Sequence, residues 1–157
     1  MVGPKGLTRY CQKEYFRTHT RPNTFKIKVK EINKSLKFKK FVVECIKTIH
    51  SENSVAYKFK EQDKSLVISG DCDFDENLVK FSKNSDILLL ECSFPNSMKV
   101  EGHLIPKECG LIAKNAGVKK LILTHLYPTS PEIIRLRQTK RIFKNTILAR
   151  DLMKIKI

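Results

Sequence analysis

Residues 66–71 read Leu66-Val67-Ile68-Ser69-Gly70-Asp71, a short apolar run that ends at a glycine and an aspartate. Two further runs, Ile87-Leu88-Leu89-Leu90 and Leu121-Ile122-Leu123, show the same lack of polar alternation. Continuous apolar runs of this length are typical of strands that are buried on both faces of a sheet. The sequence therefore predicts three buried strands, at 66–68, 87–90 and 121–123.

The segments between and after these runs have helical spacing. We predict helices over 75–84, 106–116 and 131–143. The middle helix has Pro106 in its first turn and Gly117 directly after its end, where each residue type is favoured. The alternation of buried strands with amphipathic helices predicts an α/β fold with a layered arrangement.

The flanking regions contain more polar strand patterns. We predict a helix over 4–17 and then a meander of strands rich in Phe, Val, Ile and Tyr. The predicted strands outside the three buried runs are 25–32, 38–48, 54–61, 146–149 and 152–157. With 157 residues and no internal repeat or Gly/Ser linker, the chain forms one domain or part of one.

The charge distribution is strongly basic. Lys and Arg number 31 against 16 Asp and Glu, a net charge of +15. The first 64 residues carry +10 of this charge, which would attract polyanions such as nucleic acid. Lysines that alternate with apolar residues, as in 25–30, are equally consistent with the solvated face of a strand. Both interpretations stay open.

The cysteines and the hydropathy pattern bear on the compartment. The five cysteines are odd in number and include no C-x-x-C pair, which favours reduced thiols over a disulfide framework. No apolar run approaches the roughly 20 residues that span a bilayer, and the N-terminus lacks the apolar core of a signal peptide. We expect a cytoplasmic protein with no membrane contact.

Metal-binding side chains lie at the ends of three predicted strands. Asp71 and His125 follow the first and third buried strands, and His50 ends a strand near 42–49. Functional side chains of open α/β sheets gather at these carboxyl ends. Two imidazoles and a carboxylate suit a borderline metal such as zinc. Spacing alone leaves open a surface histidine or a helix-capping aspartate.

Several stretches together carry a resemblance to a known family. In chain order they are Val2–Leu7, Thr48-Ile49-His50, Ile68-Ser69-Gly70-Asp71, Ser85–Glu91, Gly102-His103-Leu104 and Leu121–His125. They resemble the ordered C-terminal motifs of the metallo-β-lactamase superfamily, most closely its ribonuclease Z-like and related hydrolase branch. The resemblance implies half of an αββα sandwich, a mixed sheet with helices on one outer face. Residues 1–157 would then form a single partial domain, the C-terminal portion of that fold.

The resemblance also implies roles for individual residues. His50 would bind one metal ion, His125 the other, and Asp71 would bridge the two and orient the attacking water. Two Zn2+ ions are implied per complete site, with Mn2+ or Fe2+ as alternatives. His103 matches a histidine that acts on the scissile phosphate or the leaving group, although it could simply be hydrogen-bonded in its loop. His19 matches no family position.

The chain also departs from the family pattern. The signature His-x-His-x-Asp-His, which supplies most of the remaining metal ligands, is absent from these residues. Cys72 stands where Thr is usual and is predicted to be a packing residue rather than a soft metal ligand. The segment between His50 and Asp71 is too short for the tRNA-binding arm of true ribonuclease Z, which counts against tRNA 3′ processing.

Two functions are therefore carried forward. The first is a metal-dependent hydrolase of a phosphodiester or a small anionic ester, active only when a partner polypeptide supplies the N-terminal half in trans. The second is a non-catalytic basic module, derived from a hydrolase, that binds nucleic acid or acts as a scaffold. In either case the uncovered sheet face predicts a partner polypeptide or self-association.

Overall fold

The computed structural model describes residues 1–18 and 24–157, and His19 lies outside them. The strands are β1 (Val2–Gly3), β2 (Lys30–Glu31), β3 (Ser35–Lys37), β4 (Val42–Lys47), β5 (Val55–Glu61), β6 (Lys64–Ile68), β7 (Ile87–Glu91), β8 (Lys120–Thr124) and β9 (Thr146–Leu148). Strands β3 to β9 form a seven-stranded mixed sheet in which each strand pairs with the next one along the chain, while β1 and β2 form a separate parallel pair.

The sheet has an antiparallel and a parallel half. Strands β3 to β6 are antiparallel to their neighbours, whereas β6 to β9 are parallel. The parallel half contains the three apolar runs and needs crossover helices, because parallel neighbours cannot be joined by a tight turn. Since β4 and β6 both run antiparallel to β5, the carboxyl ends of β4, β6, β7 and β8 all lie at one edge of the sheet.

Three helices pack on one face of the sheet and form the main core with it. They are α3 (Glu76–Phe81), α4 (Pro106–Ala116) and α5 (Glu132–Lys140). The N-terminal segment contains α1 (Leu7–Tyr10), a π-helical turn (Cys11–Tyr15) and α2 (Phe16–Thr18). Fully buried side chains such as Val67, Leu88 and Leu121 of the strands pack with Ile112 of α4. The mixed sheet with helices on one face confirms the predicted fold class.

The opposite face of the sheet is also apolar. Leu66, Ile87, Leu89 and Ile122 point away from the helices and line a cavity beneath the C-terminal residues 149–157. Further along the same sheet, Val43 and Cys45 form a second, smaller cluster with Ile32. This face therefore carries enough apolar surface to pack against another layer.

The predictions for the parallel half are confirmed most closely. The helix predicted over 106–116 has those bounds, and Gly117 adopts a left-handed conformation with φ of 63° at its end. The predicted helices over 75–84 and 131–143 are shorter in the structure. Caps and apolar spacing are local signals, and they are strongest for the middle helix.

Several predictions for the flanking regions were wrong. Of the predicted strand 25–32, only Lys30–Glu31 pairs as a strand, with β1. The predicted strand 38–48 begins at Val42, because Phe38 and Phe41 close the β3–β4 hairpin with a backbone hydrogen bond of 2.8 Å. The predicted helix 4–17 begins at Leu7 and changes to π-helical geometry at Cys11.

The predicted strand over 152–157 was also wrong. Asp151 and Leu152 form a turn, and the residues after them pair with no strand in the described part of the chain. The alternation of Met153, Ile155 and Ile157 with lysines is a strand pattern, but a strand requires a neighbour to supply its hydrogen bonds. No described helix is long and apolar enough to cross a membrane.

Candidate metal centre

The candidate site lies at the sheet edge where the carboxyl ends of β4, β6, β7 and β8 meet. His50 follows β4, Asp71 follows β6, and His125 follows β8 directly. His103 comes from the loop between β7 and α4. The structure brings all four side chains together, since the ring centroids of His50 and His103 are 4.9 Å apart and those of His103 and His125 are 5.9 Å apart.

The Asp71 carboxylate lies between two of the histidines. Its Oδ2 is 3.4 Å from His125 Nε2 and 3.9 Å from His50 Nε2. Gly70 turns the chain here with a φ of 60°, a conformation that glycine adopts without a steric penalty. His125 itself has a φ of 53°, an unusual value for a residue with a side chain, and such values are concentrated at functional sites.

The spacing of these atoms suits metal coordination. Zinc lies about 2.0–2.2 Å from nitrogen and oxygen ligands, so two ligands of one tetrahedral ion are separated by about 3.3–3.6 Å. The 3.4 Å between Asp71 and His125 falls within that interval. One ligand atom each from Asp71, His103 and His125 lies within 4.8 Å of the others. The residues present therefore fit a zinc ion, although they number fewer than two such ions require.

Glu91 organises the loops behind this cluster. Its side chain is only 1% exposed, and it accepts hydrogen bonds from Cys72 N at 2.8 Å, Leu104 N at 3.2 Å and Ser93 Oγ at 2.6 Å. It connects the loops that carry Asp71 and His103. Glu91 was not among the site residues predicted from the sequence, although a carboxylate at the end of an apolar run requires such partners when buried.

His103 is oriented by that same carboxylate. Its Nδ1 lies 2.9 Å from Glu91 Oε1 and 3.2 Å from Ser93 Oγ. Because the Ser93 hydroxyl donates to Glu91, Nδ1 must carry the proton that both oxygens accept. This leaves Nε2 as the nitrogen available to a metal ion or a substrate. Phe94 and Tyr127, stacked at 5.0 Å, flank the ring.

Three further charged residues fix the loop that carries His103. Lys99 Nζ donates to Asp73 Oδ1 at 2.5 Å, to Glu108 Oε2 at 2.7 Å and to the His103 carbonyl at 2.6 Å. Burial raises the pKa of Asp73, but the hydrogen bonds from Lys99, Phe74 N and Gly102 N outweigh that effect and leave the pKa below its usual value. Asp73 is therefore an anion across the ordinary pH range.

The cysteines around the site behave as packing residues. All five cysteines of the chain are buried and none forms a disulfide. Burial raises the pKa of the Cys72 thiol to about 12, with the charge of Glu91 as a further cause. The Cys72 thiol is not part of the Asp71, His103 and His125 group, whose ligand atoms lie within 4.8 Å of one another. The packing role predicted for Cys72 is thus favoured over that of a soft ligand.

Arg135 of α5 joins two of the loops that form the site. It is fully buried, and its guanidinium donates to the carbonyls of Ser93 at 2.8 Å, Tyr127 at 2.6 Å and Ser130 at 3.0 Å. These carbonyls belong to the loops after β7 and β8. Arg135 was not predicted as a site residue, because one more arginine on a basic helix gives no local signal of burial.

We expect Arg135→Met to lower the free energy of unfolding by about 2 kcal/mol, because three buried carbonyls lose their donor. Urea denaturation of both proteins measures the difference. Arg137→Met is the matched control on the same helix, since Arg137 is exposed, and it should change stability by less than about 0.5 kcal/mol. Equal effects of the two substitutions would contradict the structural role of Arg135.

Comparison with known proteins agrees with this geometry. Residues 2–126 match the family described as the Beta-lactamase superfamily domain. The chain is 34% identical to the ribonuclease Z of Archaeoglobus fulgidus over 105 residues, which are 62% of this chain and 34% of that protein. It is 31% identical to the probable metallo-hydrolase YhfI of Bacillus subtilis over 117 residues, which are 73% of this chain and 46% of that protein.

Solved structures show the same relationship. The crystal structure of YhfI superposes with a TM-score of 0.79 at 26% identity, covering 95% of this chain and 61% of that one. The short form of human tRNase Z has the same fold, with a TM-score of 0.72 at 22% identity over 99% of this chain and 65% of that one. The chain thus spans about a third to a half of the curated relatives' length. With the family match covering most of its residues, the chain belongs to the metallo-β-lactamase superfamily.

Proposed function

We propose that the chain is the C-terminal half of a metal-dependent hydrolase that becomes active when a second polypeptide supplies the N-terminal half in trans. The observation that carries this proposal is the position of the Asp71 carboxylate between His125 and His50, at 3.4 and 3.9 Å. A carboxylate in that position can bridge two cations, with one imidazole for each. Zn2+ fits the donor set best, and Mn2+ or Fe2+ are alternatives.

Each of the site residues has its own role in the proposed reaction. A divalent cation at this site would supply a Lewis acid and lower the pKa of a water molecule. Asp71 accepts a hydrogen bond from the attacking water and so orients it towards the substrate. His103, held at Nδ1 by Glu91, presents Nε2 towards the substrate, and with both ring nitrogens protonated it would give the Nε2 proton to the leaving oxygen. Three ligands in this chain cannot complete two metal sites, since each zinc needs three or four.

The partner polypeptide is inferred from two observations. On the sheet face away from the helices, a cavity remains between Leu66, Leu89 and the C-terminal residues 149–157, and part of a second layer would fill it. The chain also covers only 61% of YhfI, the relative that it matches over 95% of its own length. A polypeptide equivalent to the rest of YhfI would cover the face and supply the remaining ligands, and self-association is the alternative.

We infer a phosphodiester or another small anionic ester as the substrate class. The net charge of +15 would attract such a substrate. The five free, buried thiols are consistent with a reducing compartment such as the cytoplasm. The ribonuclease Z relatives act as precedents for a phosphodiester, but the short segment between His50 and Asp71 does not favour a tRNA precursor.

The same charge favours a second candidate function, a non-catalytic module that binds nucleic acid. Lys119, Lys120 and Lys144 lie at the amino ends of β8 and β9, at the sheet edge opposite the His/Asp cluster. A polyanion bound there would not touch Asp71. Alanine substitution of both Asp71 and His125 would leave such binding intact, whereas it would abolish hydrolysis by an assembled enzyme.

Native mass spectrometry of the tagged chain, isolated from its own cells, tests the proposal. We expect a one-to-one complex with a His-rich polypeptide, carrying one or two ions of zinc mass, that hydrolyses bis(4-nitrophenyl) phosphate. The same preparation of the Asp71/His125 double-alanine variant should retain the partner and lose the ions. Isolation of the chain with neither partner nor metal would contradict the proposal and favour the binding module.

A further inference from the structure

His50 needs an external support, because no regular structure holds it. It lies in a bend after β4, its side chain is 30% exposed, and the preceding Ile49 is 52% exposed. His125, in contrast, directly follows the buried strand β8. An exposed imidazole on a bend samples several rotamers and both tautomers, and only one of these presents a lone pair at Nε2 towards Asp71.

The Gly102 peptide group supplies a contact to this ring. The Gly102 carbonyl lies 3.0 Å from His50 Nδ1. A carbonyl oxygen can only accept, so Nδ1 must carry a proton, and in the neutral ring the lone pair is then at Nε2. Gly102 has a φ of 81°, and a Cβ atom built on it would lie 3.0 Å from His50 Nδ1. The close approach of backbone and ring thus requires glycine at this position.

Asp73 fixes the other end of the same peptide unit. Its Oδ2 accepts from Gly102 N at 2.9 Å, while its own backbone N donates to the Ile49 carbonyl at 2.7 Å. Asp73 therefore contacts both the residue before His50 and the residue that bonds the His50 ring. Lys99 Nζ donates a hydrogen bond to the other carboxylate oxygen, Asp73 Oδ1, and also to Glu108 Oε2. The Asp73 side chain is 17% exposed, so water competes little for these bonds.

We propose that Asp73 is a positioning residue: through the Gly102 peptide it holds His50 in the tautomer whose Nε2 faces Asp71. The inference rests on the proposed function, in which His50 is a metal ligand, but it concerns the metal-free chain. Partners that fix the tautomer of a ligating histidine typically change metal affinity by 10–100-fold when they are removed. Asp73 need not touch the metal or the substrate to have this effect.

The primary test is the tautomer of His50 in the metal-free chain, measured by long-range 1H–15N correlation and assigned with His50→Gln. The unsubstituted chain should show Nδ1 protonated. Asp73→Ser, whose shorter side chain cannot reach Gly102 N, should shift His50 towards the Nε2-protonated form or an average of both. Gly102→Ala, which acts on the same contact from the ring side, should do likewise. Asp63→Asn removes one exposed carboxylate of the β5–β6 turn and should leave the tautomer unchanged.

A second measurement separates this inference from the proposed function. Zn2+ titration of the same proteins should show affinity lowered about 10–100-fold in Asp73→Ser and unchanged in Asp63→Asn. If the chain bound no Zn2+ either alone or in the complex with its partner while the tautomer shifted as expected, the proposed function would fail and the positioning role would stand. A wild-type tautomer in either folded variant of Asp73 or Gly102 would overturn the positioning role. Should Asp73→Ser fail to fold, Gly102→Ala decides alone.

Discussion

Replacement of Glu91 by alanine is expected to lower the free energy of unfolding by about 3–5 kcal/mol, a large part of the stability of a domain of this size. The carboxylate is 1% exposed and is the acceptor for backbone N–H groups of Cys72, Ser93 and Leu104. Each buried donor that loses its partner costs about 1–3 kcal/mol, and no water could replace the carboxylate without a cavity being opened.

Because of its position, Glu91 should affect the arrangement of the site as well as the stability of the domain. Its two oxygens join the loop after β6, the loop after β7 and the segment that enters α4. Loss of the carboxylate would therefore release the loops that carry Asp71 and His103 together. We expect the NMR chemical shifts of both residues to change, in addition to the lower urea concentration at the midpoint of unfolding.

Two variants control this experiment. Glu101→Ala removes an exposed carboxylate from the loop next to His103 and should change stability by less than about 0.5 kcal/mol. Glu91→Gln keeps the shape and one acceptor, so its loss should be smaller than that of Glu91→Ala. If Glu91→Ala unfolded at the same urea concentration as Glu101→Ala, the carboxylate would not be the centre of the hydrogen-bond network.

The parts of the fold that the sequence predicted well are those with local causes. The helix over 106–116 is delimited by Pro106 and Gly117, which act on their own turns. The runs at 87–90 and 121–123 are apolar at every position because both faces are covered, and this shows without knowledge of the neighbours. The histidines and the aspartate at strand ends could be selected by the same logic, since parallel strands end at a common edge.

The parts that the sequence did not predict depend on distant partners. Arg135 is buried because three carbonyls from two loops surround it, and those loops are fixed by other elements. The segment 152–157 has the alternation of a strand yet lacks a neighbour among the described residues. Asp73 lies only two positions from Asp71, but its contact with Gly102 joins residues 29 positions apart. A pattern in one segment carries no information on such contacts.

Among the site residues, Asp71 is the one whose replacement should lower activity most. In the proposed assembled hydrolase, Asp71→Asn is expected to lower kcat/KM by at least about 10²–10³-fold, the usual cost of one electrostatic group at a reacting centre. The amide keeps the shape of the side chain but loses the negative charge that would hold a divalent cation. Measured on bis(4-nitrophenyl) phosphate, the loss should be accompanied by fewer zinc-mass ions in the native complex.

The same substitution should not destabilise the metal-free chain. Asp71 is 41% exposed in its side chain, and among residues 1–18 and 24–157 its carboxylate contacts only the imidazoles of His50 and His125, so its removal leaves no buried donor without a partner there. This separates Asp71 from Glu91, for which stability and activity should fall together. Asp151→Asn, in the exposed turn before the C-terminal residues, is the charge-matched control and should leave kcat/KM unchanged. An Asp71→Asn complex with full activity would exclude Asp71 from the reaction, whereas a loss of activity caused by unfolding would appear as a shift of the urea midpoint.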